Sequence, residues 1–242
     1  MNPIIQSLFD RKSMRVFLEK EIPAAEKALI LESAIQAPTA GNLYLYSIID
    51  VTEQKIKEEL AVLCDNQPFI AQAKMVLIFL ADYQKYYELY KLAVGENIEK
   101  PQLGDLMLAT ADALIAAQNT VVAAESLGIG SCYIGDILEN HDEVCALLNL
   151  ADYTFPACML VYGYPTDQQK NRPKPRRFQV ADIVFSNRYQ LKDGAAYDRM
   201  YKGQNAAYEY LSVAQKVYSL KYDVAYRRAM NKAASAYLKK WE

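Results

Sequence analysis

Residues 105–127 constrain this chain more than any other stretch. They are rich in alanine, nearly uncharged after Asp112, and stopped by Gly128, the residue best suited to end a helix in a left-handed turn. The spacing predicts one long helix. A helix that is apolar almost all round must be covered on most sides, so it is either the central helix of the core or part of a subunit interface. With 242 residues, 52% of them hydrophobic, the chain can build a sizeable core around it.

Helical periodicity also marks 3–9, 24–36, 53–63 and 139–148, and strand-like apolar runs fall at 47–51, 75–81 and 157–162. Several helices with few strands predict a single α+β domain spanning 1–242. Its tail, from about 195 to 242, reads as helices carrying many tyrosines. Tyr218, Tyr222 and Tyr226 recur at i, i+4 and i+8, which predicts a packing stripe on one helix face. Residues 166–177 are polar, basic and proline-rich, and predict an irregular connection. The purest apolar run, 75–81, is far too short to cross a bilayer.

Composition excludes several chemistries. The chain holds 27 basic and 29 acidic residues, a net charge of −2, so it has no general attraction for nucleic acid or an anionic membrane. Cys64, Cys132, Cys145 and Cys158 show no metal-type spacing and read as reduced thiols of a cytoplasmic protein; residues 1–10 lack the layout of a secretion signal. The only histidine is His141, so multi-histidine metal sites are ruled out, and a Ser-His-Asp or Cys-His hydrolase would have to run through this one residue at the polar start of a predicted helix. Chemistry borrowed from an organic cofactor is favoured instead.

Four segments carry side chains suited to such a ligand. Arg11-Lys12-Ser13-Met14-Arg15 concentrates three cations and a hydroxyl, a donor set matched to phosphate, although a solvated helix end has the same composition. Ala37-Pro38-Thr39-Ala40-Gly41-Asn42 is a loop of small and polar residues that lets backbone approach a flat ligand and offers amide and hydroxyl donors. Gly128-Ile129-Gly130-Ser131-Cys132-Tyr133-Ile134-Gly135-Asp136 reads as a glycine-spaced stretch between helices. In Pro173-Lys174-Pro175-Arg176-Arg177, prolines stiffen a basic loop.

Together with Gln118-Asn119 and Ala124-Glu125-Ser126-Leu127-Gly128, these motifs, in order from about residue 3 to 189, resemble the nitroreductase family, and within it the NADPH-preferring flavin reductase and oxygen-insensitive nitroreductase branch. The resemblance implies an α+β fold with a central antiparallel sheet surrounded by helices, in an intertwined homodimer with FMN at the subunit interface. It places Arg11, Ser13 and Arg176 on the FMN phosphate, and Arg15 and Lys174 near the pyrimidine edge of the flavin. Gly135 would face the flavin N5, Tyr133, Ile134 and Asp136 would lie along the ring, and Lys12 belongs to the cofactor-binding run without an assigned task. Thr39, Ala40, Gly41 and Gln67 would come from the partner subunit.

The implied reaction is ping-pong hydride transfer from NADPH or NADH through FMN to nitroaromatics, quinones, azo compounds, flavins or chromate, with no catalytic side chain and no metal. Gly41 and Asn42 stand where the family often has serine or aromatic residues, and with Arg227 and Arg228 they form the expected substrate and NAD(P)H side. Alternatives on the same fold are a flavin-binding sensor or carrier, and an enzyme of different chemistry such as a dehalogenating relative.

Overall fold

A computed structural model describes residues 1–242. In chain order the elements are α1 (Pro3–Asp10), α2 (Ala24–Ile35), β1 (Tyr46–Asp50), α3 (Gln54–Leu63), α4 (Phe69–Gln72), β2 (Met75–Asp82), α5 (Gln84–Val94), α6 (Leu103–Ser126), β3 (Gly130–Ile134), α7 (His141–Leu148), β4 (Thr154–Gly163), α8 (Asp167–Asn171), α9 (Val180–Ile183), α10 (Gly194–Gln204), α11 (Tyr210–Val217) and α12 (Ala225–Leu238). The strands form one sheet in the order β1-β2-β4-β3, antiparallel throughout. β2 is buried at all eight positions, as expected of a central strand covered on both faces.

One face of the long helix is the centre of the core. Leu106, Ala109, Asp112, Ala113, Ala116, Ala117, Thr120, Val121 and Ala124 recur every three or four residues and are buried. Alanines on this face let α6 sit close to β2, β4 and α2. The opposite side leaves Met107, Leu108, Leu114 and Ile115 exposed, and α1 likewise exposes Ile4, Leu8 and Phe9. α6 is also the one helix long and apolar enough to suit a bilayer crossing, with a mean hydropathy of 1.4, which a search for uninterrupted apolar runs passes over.

The basic run is held against one end of the sheet. Met14 N–H donates to Ser131 O (2.9 Å), Leu18 N–H to Tyr164 O (2.8 Å), and Thr166 N–H to Val16 O (3.3 Å). Gly130 and Gly163 face each other in the β3–β4 register. A Cβ on Gly130 would lie 2.5 Å from Met14 Cγ, and one on Gly163 would lie 2.6 Å from Phe17 Cγ. The glycine pair therefore admits the side chains that seat residues 13–18.

Several expectations change. Residues 130–134 are not part of a turn between helices but a mostly buried edge strand, β3, paired with β4. The irregular connection predicted at 166–177 contains α8, whose N-terminus is capped by the Thr166 hydroxyl accepting from Gln169 N–H. α5 was not anticipated at all, because its tyrosines and charges blur the apolar period.

The chain divides into two compact units, residues 1–172 with 229–242, and residues 173–228. Within the second, Tyr197 stacks on Tyr210 (6.5 Å between ring centres) and Phe178 meets Tyr201 edge-on (5.7 Å). The expected tyrosine stripe is broken: Tyr218–Tyr222 is a single π turn in which the two rings stack (5.5 Å between centres), Tyr226 falls in α12, and all three residues are exposed at the surface rather than buried in a core.

Candidate functional site

Arg11 is the half-buried centre of the basic run. Its guanidinium carbon lies 5.8 Å from the centre of the Tyr133 ring, and its Nε and Nη2 are buried without a hydrogen-bond partner. Buried guanidinium donors left unpaired are costly, and an anionic oxygen is the natural group to satisfy them. The small cavity beside it is lined by Ser7, Leu8, Gln118, Val121, Val122 and Glu125. Tyr133 donates its hydroxyl to Gln118 Oε1 (3.2 Å), and burial raises its pKa. The second half of α6 thus frames both Arg11 and Tyr133.

The other members of the run are placed by α8. Lys12 Nζ donates to Lys170 O (2.5 Å) and to Arg172 O, satisfying carbonyls at the end of that helix. Arg172 Nη2 donates to Ser13 O (2.6 Å), and Arg15 N–H donates to Gln169 Oε1 (3.3 Å). Lys12 is therefore a latch on α8, which gives it a structural task. Arg15 stays exposed, 6.0 Å from the Phe69 ring centre. Cys132 lies beneath this run: burial pushes its thiol pKa up, against the pull of Arg15, Ser13 and Arg11.

Where β3 ends, Ile134 is buried and Gly135 opens a 3-10 turn, Gly135–Leu138. A Cβ on Gly135 would meet nothing within 4 Å, so the backbone there is open to close approach. Asp136 accepts from Gln67 Nε2 (2.9 Å), and the same Gln67 amide group donates to Cys64 O (2.8 Å). Gln67 and Asp136, singled out separately in the sequence, are thus brought together within one chain.

Residues 39–45 are organised by a side chain that sequence reasoning missed. Asp112, 3% exposed, accepts from the Thr39 hydroxyl, from Ala40 N–H (3.0 and 3.2 Å to its two oxygens) and from Leu45 N–H (3.2 Å). The Thr39 hydroxyl oxygen accepts in turn from Tyr44 N–H (2.8 Å). Gly41, Asn42 and Tyr44 have φ of +57°, +59° and +51°. The signal in the sequence was a lone acid on the alanine-rich face of a core helix, where an unpaired charge is not tolerated.

Lys174, Arg176, Arg227 and Arg228 belong to the second unit. Arg176 Nη1 donates to Gln204 O (3.0 Å) beside a cavity of about 600 Å³ lined by Pro175, Asn205 and Tyr208. Arg227 lies over the Tyr222 ring (3.8 Å), and Arg228 pairs with Asp223 (2.8 Å).

Guanidinium and hydroxyl groups at one end of the sheet, with an open glycine backbone at the end of β3, make up the candidate site of this α+β protein. Comparison with known proteins is consistent. Residues 8–164 match the nitroreductase family model. The chain is 33% identical over 194 residues to an FMN reductase (NADPH) of Bacillus subtilis, covering 79% of this chain and 76% of that one. It is 32% identical over 196 residues to an oxygen-insensitive NADPH nitroreductase of Salmonella typhimurium, covering 80% and 77%. Among solved structures, B. megaterium NfrA2 superposes with a TM-score of 0.78 at 29% identity, covering 96% of this chain and 98% of that one. The chain belongs to the nitroreductase family.

Proposed function

We propose that this chain is an FMN-dependent NAD(P)H oxidoreductase that passes hydride to nitroaromatics, quinones or flavins. The observation that carries the reading is Arg11, whose buried Nε and Nη2 have no partner in the chain and fit a phosphate oxygen. The residues present fit FMN in a second respect, since the backbone at Gly135 is open to a ring. The chemistry FMN supplies when bound is reversible hydride acceptance, which is why one histidine suffices.

Each side chain then has a task. Arg11 and Ser13 bind the phosphate, and Arg15 offers a cation to the flavin edge where negative charge develops on reduction. Tyr133 and Ile134 line the ring and exclude water. Residues 39–42 serve the partner's site in a homodimer, whereas Gln67, which donates to Asp136 beside Gly135, serves this chain's own site. The exposed apolar side chains of α1 and α6 support that assembly, since a monomer leaves them in water. Lys174 and Arg176 are further FMN ligands on the strength of the sequence resemblance. Arg227 and Arg228 form the NAD(P)H side on the same ground, and the setting is cytoplasmic, a reading that four free cysteines support.

The test is the absorbance of the purified protein. We expect a flavin spectrum that bleaches under anaerobic NADPH or NADH and returns on adding nitrofurazone or menadione. The faster-bleaching nucleotide identifies the donor. A colourless protein that cannot be reconstituted with FMN would sink the reading.

A further inference from the structure

The loop at 39–45 was expected to offer its amide and hydroxyl donors to a ligand, yet most of them point inward. The Thr39 hydroxyl proton, the Ala40 N–H and the Leu45 N–H all go to the Asp112 carboxylate. The Thr39 oxygen takes the Tyr44 N–H, and the Asn42 and Leu43 N–H groups close on Thr39 O (3.3 Å) and Ala40 O (3.0 Å). From outside the loop, the Tyr86 hydroxyl donates to Leu43 O (2.5 Å) and Asp82 N–H donates to Leu45 O (3.0 Å). Of the loop's other donors, the Thr39 and Gly41 N–H groups, the Asn42 carboxamide and the Tyr44 hydroxyl, those on exposed residues are the Gly41 N–H and the Asn42 carboxamide.

This arrangement holds three residues at positive φ, two of them non-glycine, a conformation that persists only when its surroundings over-determine it. A buried carboxylate is also an expensive way to close a loop, because desolvating it costs several kcal/mol unless every oxygen is satisfied. An apolar side chain on α6 could fill the same space, but it could not orient three donors. Resting on the FMN reading above, we infer that Asp112 is the positioning residue of the loop presented to the partner subunit's flavin. It draws the Thr39 and Ala40 donors inward and thereby sets Gly41 N–H and the Asn42 carboxamide as the groups the loop offers. Thr39 and Ala40 then shape the site rather than donate to it.

The decisive variant is Asp112→Asn, which keeps size but removes the charge and replaces one of the two acceptor oxygens with an NH2 group that faces the Ala40 N–H in either orientation. FMN titration of the wild-type and variant holoproteins should show affinity at least about tenfold weaker in the variant. Thr39→Val should weaken it by about threefold, and Thr39→Ser should restore it. Mixed dimers of an Asp112→Asn subunit with an Arg11→Ala subunit should retain one wild-type-affinity FMN site per dimer, because the two defects then fall on the same flavin. An Asp112→Asn protein that binds FMN within twofold of wild type overturns the inference, even with a lowered melting temperature. If that variant does not fold, Thr39→Val within twofold of wild type overturns it equally. Mixed dimers with no wild-type-affinity site overturn the assignment to the partner's flavin. A wild-type chain that binds no FMN removes the functional reading and this inference with it, a result distinct from all of these.

Discussion

Arg11 illustrates how much one side chain can report. Two of its donors are buried without partners, and the chain leaves them so beside an aromatic ring. Replacing it with alanine should weaken FMN binding by about 1.5–3 kcal/mol, since a charge-assisted phosphate contact is lost. Titration of the FMN fluorescence would show this, and unchanged affinity would mean that the phosphate sits elsewhere. The cysteines give the opposite kind of prediction. Burial pushes the thiols of Cys64 and Cys158 from an ordinary 9.0 up to about 12. Both should resist alkylation in the native state at pH 8. In the unfolded chain they ionise first, so between pH 9 and 12 the folded form holds more protons and its stability falls as pH rises. The urea midpoint should therefore drop across that window, and less steeply in a Cys64→Ala/Cys158→Ala variant. The cations and hydroxyl of residues 11–15 were legible in the sequence as a candidate phosphate site. Asp112 was not, because a lone acid in a helix says nothing of which backbone amides will fold onto it.

At the scale of elements, the strongly patterned ones were readable and those shaped by partners were not. β2 and α6 have long apolar signals that survive any context. β3 was hidden because Gly130, which the strand needs so that Met14 can lie against it, is the same residue that a sequence reading takes for a turn. α8 has no apolar face and is held by its Thr166 cap and the Lys12 latch. Two substitutions test these points. Gly130→Ala should cost about 1–3 kcal/mol of stability through overpacking, and combining it with Met14→Ala should recover part of that loss. Lys12→Met should lower stability by about 1 kcal/mol while leaving FMN affinity within twofold of wild type. A tenfold affinity loss there would return Lys12 to the cofactor.

Across the whole molecule, α6 serves both halves of the proposed site. Its first half carries Asp112 under the loop at 39–45, and its second half carries Gln118 at Tyr133 and the wall beside Arg11. The cluster beneath that loop is completed from far along the chain: Trp241, 1% exposed, packs with Leu45, Ala81, Leu106, Ala109 and Tyr153, and Ala40 and Leu43 rest against the same group. Trp241→Ala should cost about 3–5 kcal/mol in urea unfolding and weaken FMN binding as the loop loosens. A loss below about 1 kcal/mol would show that the cluster closes without it.

That distant closure has a consequence for biosynthesis. The loop at residue 40 leaves the ribosome about 200 residues before the tryptophan that seals its underside. At roughly 5–20 residues per second, it must wait about 10–40 s for its final support. The sheet can assemble during translation, whereas the ligand-facing loop can reach its final form only after residue 241 has been added.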